Sequence, residues 1–121
     1  AAGLGTEALA VDPGIGFGKT VDHNLALLAG LGALGALERP LVVGLSRKSF
    51  LGSITGRDVH DRLAAGLAGL CAAVSGGAHI LRVHDVKESC DAVRVMDRLA
   101  EQELRVDLAE ADSDSGYHGN P

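Results

Sequence analysis

The side chains able to do chemistry fall in three short runs, each placed just after an apolar stretch. They are Asp12 with the segment Gly14-Ile15-Gly16-Phe17-Gly18-Lys19-Thr20, then Ser46-Arg47-Lys48-Ser49, then Arg82-Val83-His84-Asp85. Cationic and hydroxyl groups at the ends of neighbouring strands suit one anionic, oxygen-rich ligand. Arg82 is the sharpest signal, because a guanidinium within a strand pattern is costly to bury unless paired. It either meets a carboxylate such as Asp85 or presents its fork to a ligand anion. A lone Asp after a strand serves more often as a turn residue that accepts backbone N–H groups. Asp12 gains a second reading from its company, as a carboxylate facing the ligand. Lys19 reads equally as a solvated loop lysine or a ligand contact. The glycines, Gly16 among them, either bring backbone close to a ligand or turn the chain.

Two phosphate-loop patterns fail on spacing. The Walker pattern requires Gly where Pro13 stands, and a dinucleotide GxGxxG starting at Gly14 requires Gly at Lys19. His79 reads as a packing or hydrogen-bonded core residue, His60 and His118 as surface residues, and no His/Cys/Asp cluster has metal-ligand spacing. Cys71 and Cys90 lack CxxC spacing and are expected to be reduced packing residues.

These groups must be positioned by the elements between them. Ala8-Leu9-Ala10-Val11 and Leu41-Val42-Val43-Gly44-Leu45 are short unalternating apolar runs, the pattern of strands buried on both faces in a parallel sheet. Ala78-His79-Ile80-Leu81-Arg82-Val83 reads as a third strand. Asp22 is a candidate N-cap for a helix over residues 23 to 38, with Leu25, Leu28, Leu31 and Leu34 at helical spacing. Asp58 is the same for a helix over residues 59 to 75, whose apolar face is Leu63, Leu67, Leu70 and Val74, closed by Gly76-Gly77. A third helix is expected over residues 87 to 103 with Val93, Met96 and Ala100 inward. Strand and helix alternate three times, which predicts parallel strands with right-handed crossovers and helices outside. The fold class is therefore α/β with three βα units, spanning residues 1 to 106. Residues 107 to 121 read as an acidic disordered tail.

Composition narrows the function classes. Of 121 residues, 46% are hydrophobic and 22% charged, as in an ordinary globular domain. The net charge of -5 provides no nucleic-acid footprint, so any anion site must be a local concentration of cations. Apolar stretches end well short of the roughly 18 residues of a membrane span, and no signal peptide is visible, so a cytoplasmic setting is expected. The chain starts at Ala1, and its only Met is Met96, which raises the expectation of a processed or truncated product. Three βα units are too few to close a barrel of eight, and their outer strands expose edges unless another segment covers them.

Together, Asp12-Pro13-Gly14-Ile15-Gly16-Phe17-Gly18-Lys19-Thr20 with His23-Asn24-Leu25, Ser46-Arg47-Lys48-Ser49, and Arg82-Val83-His84-Asp85-Val86 resemble three motifs of dihydropteroate synthase, in that family's order and spacing. The resemblance spans about residues 8 to 103. It implies a pterin-binding (β/α)8 TIM barrel, of which this chain matches the last three units. It also implies condensation of para-aminobenzoate with 6-hydroxymethyl-7,8-dihydropterin pyrophosphate in folate biosynthesis. Carried over by motif, Asp12 would bind the guanidine-like edge of the pterin, and Lys48 the pterin and the aminobenzoate region. Phe17 and Ser46 would line the aminobenzoate pocket, with Gly16 in the substrate-binding loop. Arg82 and His84 would hold the departing pyrophosphate, with Ser49 a weaker candidate. Lys48, Arg82 and His84 are thus the implied catalytic residues. Magnesium is implied as well, although the family's ligand residue for it is absent from this chain. The family's amino-terminal half is missing, so an inactive carboxy-terminal portion is expected, working as a homodimer or with a complementing barrel half. The competing reading is a non-catalytic pterin- or pyrophosphate-binding module or a barrel-completing subunit.

Overall fold

The computed structural model describes residues 3 to 115. Strand β1 (Val42–Gly44) pairs in parallel with β2 (Ile80–Arg82), with Val42 opposite Ile80 and Gly44 opposite Arg82. On the other side of β1, the first expected strand is reduced to a single parallel bridge between Val11 and Leu41. Val11 donates its N–H to Pro40 (2.8 Å) and accepts from Val42 (2.7 Å), while Thr6–Ala8 just before it form a 3₁₀ turn. The parallel order is as expected, with β1 in the middle, but the strands are shorter.

One face of this sheet is covered. Leu41, Val43 and Leu45 alternate toward the helices and join Ile15, Leu28, Leu31, Phe50, Leu51 and Ala73 in one core. Burial on both faces, expected from the unalternating apolar runs, is not found. The opposite face carries Ile80, 49% exposed, and Arg82. Period-two alternation turns these residues away from the helices and leaves their side chains about half exposed, with Arg82 lying over Gly44.

The helices keep their order and shift their bounds. Helix α1 is Val21–Ala29, capped by Thr20 and not Asp22, since the Thr20 hydroxyl accepts the His23 N–H at 3.1 Å. It stops where Gly30 interrupts it, and Leu31–Leu37 continue as a 3₁₀ helix, a tighter winding that the glycines at 32 and 35 tolerate. Its buried stripe is Asn24, Leu28 and Leu31, while Leu25 faces outward. Helix α2 (Ser49–Thr55) adds to the expected elements, beginning at Ser49, the last residue of the cationic run. Asp58 caps a 3₁₀ turn, Val59–Asp61, by accepting from His60 N–H (3.0 Å), and α3 starts later, at Leu63–Ser75. Gly69, Leu70 and Ala73 form its buried face, while Leu63 is exposed.

Helix α4 runs Val86–Ser115, packs on α3, and corrects the expected tail, since residues 107 to 115 are helical. The boundary expected at residue 106 therefore falls inside a helix. Leu104, Leu108, Ala109 and Ala111 are strong helix formers in a segment without Gly or Pro, and they offset its acidic charge. Val93 and Met96 are half-buried as expected, but Ala100 is exposed, at the edge of a shallow cavity it lines with Val74 and Ser75 of α3. The remainder of the expected tail, with His118, lies outside the described residues. Cys71 is half-buried and Cys90 exposed, both free, so Cys90 is not a packing residue. His79 is exposed and hydrogen-bonded: its Nδ1 accepts the Leu41 N–H at 3.0 Å. Among the described residues no helix is long and apolar enough to cross a membrane.

The core assignment is testable by urea unfolding. Leu31, 1% exposed, should cost about 2–5 kcal/mol when replaced by Ala. Leu99, 52% exposed on α4, should stay within about 0.5 kcal/mol on the same change.

Candidate functional site

At the carboxy-terminal ends of the three parallel segments the expected residues form two adjoining groups. In the first, Arg82 Nη2 lies 3.0 Å from Asp12 Oδ2. Asp12 Oδ1 also accepts the Gly14 N–H at 2.9 Å, so the turn and ligand readings of this residue are compatible. Arg82 belongs to one outer segment and Asp12 to the other, and the guanidinium spans the central strand to make the contact. Gly44 permits it: a Cβ there would stand 2.8 Å from Arg82 Nη2 and 2.9 Å from Nε. Partner choice thus differs from the expected Arg82–Asp85 option. The Arg82 side chain leaves from the open face of the sheet, whereas Asp85 lies past the strand end and binds Arg47 Nη2 at 2.9 Å.

Lys48 completes the first group. Its Nζ donates to the Ile15 carbonyl and sits 4.4 Å from the centroid of the Phe17 ring, whose face attracts a cation. Gly16 lies beneath the lysine stem, where a Cβ would come within 2.6 Å of Lys48 Cδ, and its φ of 89° is one that L side chains rarely adopt. Phe17 points outward, 65% exposed, and is available to a ligand. Lys19 donates to the carbonyls of Gly14 (2.8 Å) and Phe17 (3.1 Å), so it ties the loop together beside the site.

The second group is Ser46 with His84. The Ser46 hydroxyl lies 3.0 Å from His84 Nδ1 and accepts the His84 backbone N–H at 3.4 Å. The Arg47–Asp85 pair, one residue on from each, holds the two loops in this register. Arg47 itself has φ of 59°, an uncommon value for a non-glycine residue, and its carbonyl accepts from Arg62 Nη1 at 3.0 Å. Arg47, Asp85, Arg62 and Asn24 shape the site without having been singled out as site residues. The opposite charges at 47 and 85 were a usable signal for one pair. Ser49 stands apart: it opens α2 on the exposed side and makes no described contact with the other site groups.

Electrostatics favour an anion. Arg82 pairs with the carboxylate of Asp12, and Lys48 lies within electrostatic reach of Arg82, Asp12 and Lys19, so three cations gather around one carboxylate. Burial pulls the Lys48 pKa below its ordinary value, and repulsion from Arg82 and Lys19 adds to this against the attraction of Asp12. The Arg82–Asp12 pair is half exposed, so it is worth about 0–1 kcal/mol, whereas charge-assisted bonds to phosphate oxygens are worth about 1.5–3 kcal/mol each. An anionic ligand can therefore displace the pair.

Known proteins resemble this chain in sequence and in fold. A family model described as pterin binding enzyme matches residues 1–84. Dihydropteroate synthase of Escherichia coli strain K12 is 47% identical over 96 residues, which is 79% of this chain and 34% of that protein. The bifunctional dihydropteroate synthase/dihydropteroate reductase of Helicobacter pylori is 46% identical over 91 residues, covering 75% of this chain and 24% of that protein. Among solved structures, Yersinia pestis dihydropteroate synthase with a sulfonamide drug complex superposes with a TM-score of 0.81 at 40% identity, covering 83% of this chain and 36% of that one. The chain spans about a third of the length of the curated relatives it matches first.

Because Lys48 has a depressed pKa, its folded form holds its proton less tightly than its unfolded form. Stability should therefore rise with pH from the folded value up to 10.5, where the unfolded lysine also loses its proton. An NMR titration of Lys48 13Cε should find its midpoint below 10.5, moved upward by Arg82→Gln and further downward by Asp12→Asn.

Proposed function

The chain belongs to the pterin-binding enzyme family, and from that premise we propose that it forms the carboxy-terminal wall of a dihydropteroate synthase site, part of a TIM-type βα barrel. The observation that carries the reading is the convergence of Asp12, Lys48 and Arg82, with Ser46–His84 beside them, at the ends of three parallel chain segments. In parallel α/β architectures, ligands collect at that end.

In this reading the substrates are para-aminobenzoate and 6-hydroxymethyl-7,8-dihydropterin pyrophosphate. Asp12 accepts from the donor-rich edge of the pterin, and Lys48 lies between pterin and aminobenzoate. Phe17 offers its exposed ring to the aminobenzoate, with Ser46 at the pocket margin and Gly16 giving the backbone a close approach. Arg82 and His84 face the pyrophosphate. The bond from the pterin methylene carbon to the pyrophosphate oxygen breaks with its electron pair on the oxygen. The aminobenzoate nitrogen then bonds to the cationic carbon and loses a proton. Charge grows on the leaving group, so preorganised donors at Arg82 and His84 stabilise the transition state more than the ground state.

The family resemblance also brings a magnesium ion, and the donors on this chain do not fit one. Asp12 is engaged by Arg82 and Asp85 by Arg47, and among the described residues no three His, Cys, Asp or Glu side chains group to hold a metal.

The open sheet face around Ile80 and Arg82, and the third of the relatives' length that is spanned, support a half-site that needs a complementing segment or a second subunit. Steady-state assays of the chain alone should therefore yield no dihydropteroate, and robust turnover would overturn the half-site reading. Calorimetry with pyrophosphate and with 6-hydroxymethylpterin separates the remaining readings. Binding without turnover supports a ligand-binding half-site, and no binding of either refutes it. Arg82→Ala should weaken pyrophosphate roughly 10- to 100-fold and spare the pterin, with the reverse selectivity for Lys48→Ala. Equal losses of both ligands in both variants would point to unfolding and remove support for the assigned roles.

A further inference from the structure

Among the described residues, Asn24 is the one buried polar side chain hydrogen-bonded to the glycine loop. It lies in the first turn of α1, is 1% exposed, and its Oδ1 accepts the Gly16 N–H at 2.6 Å. Its own N–H is bonded to Thr20 O at 3.0 Å, so helix and cap hold its backbone. On the far side of the same peptide unit, the Ile15 carbonyl accepts from Lys48 Nζ. A trans peptide is planar, with its N–H and C=O pointing in opposite directions. Fixing the one end therefore aims the other. Ile15, also 1% exposed, anchors the unit in the core from the preceding residue, while Gly16 at φ 89° leaves the plane free to rotate unless something holds it.

We propose that Asn24 is a positioning residue for Lys48, acting through the Ile15–Gly16 peptide: it locks the plane whose carbonyl holds the lysine ammonium against the Phe17 ring. Hydrogen bonds made in series through one peptide also polarise each other, which strengthens the acceptor that Lys48 uses. Without Asn24 the plane can turn over at glycine's low cost, and the carbonyl leaves Lys48. The ammonium then has the Phe17 face and solvent as its surroundings. Asn24 touches no ligand in this scheme, and its effect on ligand binding rests on the role proposed above for Lys48.

The test uses three variants of the whole chain and two readouts, the first of which needs no ligand. Asn24→Asp keeps an acceptor of the same shape, Asn24→Leu keeps the volume without the acceptor, and Asn24→Ala removes both. In 1H–15N spectra the Gly16 amide proton should lie downfield in the parent and in Asn24→Asp, and move upfield in Asn24→Leu. The Lys48 15Nζ and 13Cε shifts should change with it, while amides of β1, β2 and α3 stay in place. Asn24→Leu and Asn24→Ala should also lose roughly tenfold in affinity for 6-hydroxymethylpterin, with pyrophosphate affinity retained and Asn24→Asp restoring most of the loss. Unchanged Lys48 shifts in Asn24→Leu overturn the proposal, as do equal shifts in Asn24→Leu and Asn24→Asp, which would mean that packing and not the acceptor matters. If Asn24→Ala fails to fold, the Leu and Asp pair still decides. If the parent binds no pterin while the Lys48 shifts respond as expected, the positioning role stands and the proposed function falls.

Discussion

The Arg82 guanidinium reaches Asp12 across the full width of the three-segment sheet, and it can do so only because position 44 carries no side chain. Parallel pairing sets the distance. Gly44 lies opposite Arg82, and Leu41 opposite Val11, so the two outer segments end on either side of a bare central strand. Any Cβ at 44 would occupy the place of the guanidinium. The pair contributes little to stability at its exposure, and a ligand anion that offers Arg82 stronger bonds can take it over. Its value lies in holding both groups at the ligand end without a large cost of opening.

The same sheet has one packed face and one open face, and this asymmetry bears on the functional reading. Leu41, Val43 and Leu45 turn into a core shared with the helices, while Ile80 and Arg82 turn outward. Parallel strands with apolar residues on both sides need cover on both sides. Asp12 and Arg82 stand at the rim of this half-exposed face.

The loop between Val11 and α1 relies on backbone more than on side chains. Lys48 and Lys19 both bind loop carbonyls, and Asn24 binds a loop amide. Side chains from the loop itself (Lys19), from α1 (Asn24) and from the cap of α2 (Lys48) therefore bind peptide groups of this loop, and Gly16 takes part through its backbone N–H although it has no functional group of its own. Arg47, in its uncommon backbone conformation, plays the matching part after β1, with its side chain on Asp85 and its carbonyl on Arg62.

Residue type and spacing along the chain determined the βα alternation, the parallel order of the segments, and the identity of the polar groups at their ends. These follow from local patterning: apolar runs, caps and glycines act within a few residues of themselves. Helix bounds were less legible, because Asp22 outranks Thr20 as a cap by residue type although Thr20 makes the cap, and α2 begins at the last residue of a cationic run. The length of α4 was hidden by its acidic charge, which reads as disorder although Leu and Ala carry the helix on. Only the tertiary structure decided that Arg82 takes Asp12 and leaves Asp85 to Arg47, that Asn24 faces inward where Leu25 was expected, and that one face of the sheet is open. Each of these depends on which segments lie side by side and on which way a side chain leaves the sheet, and such relations between residues far apart in the chain have no local signature.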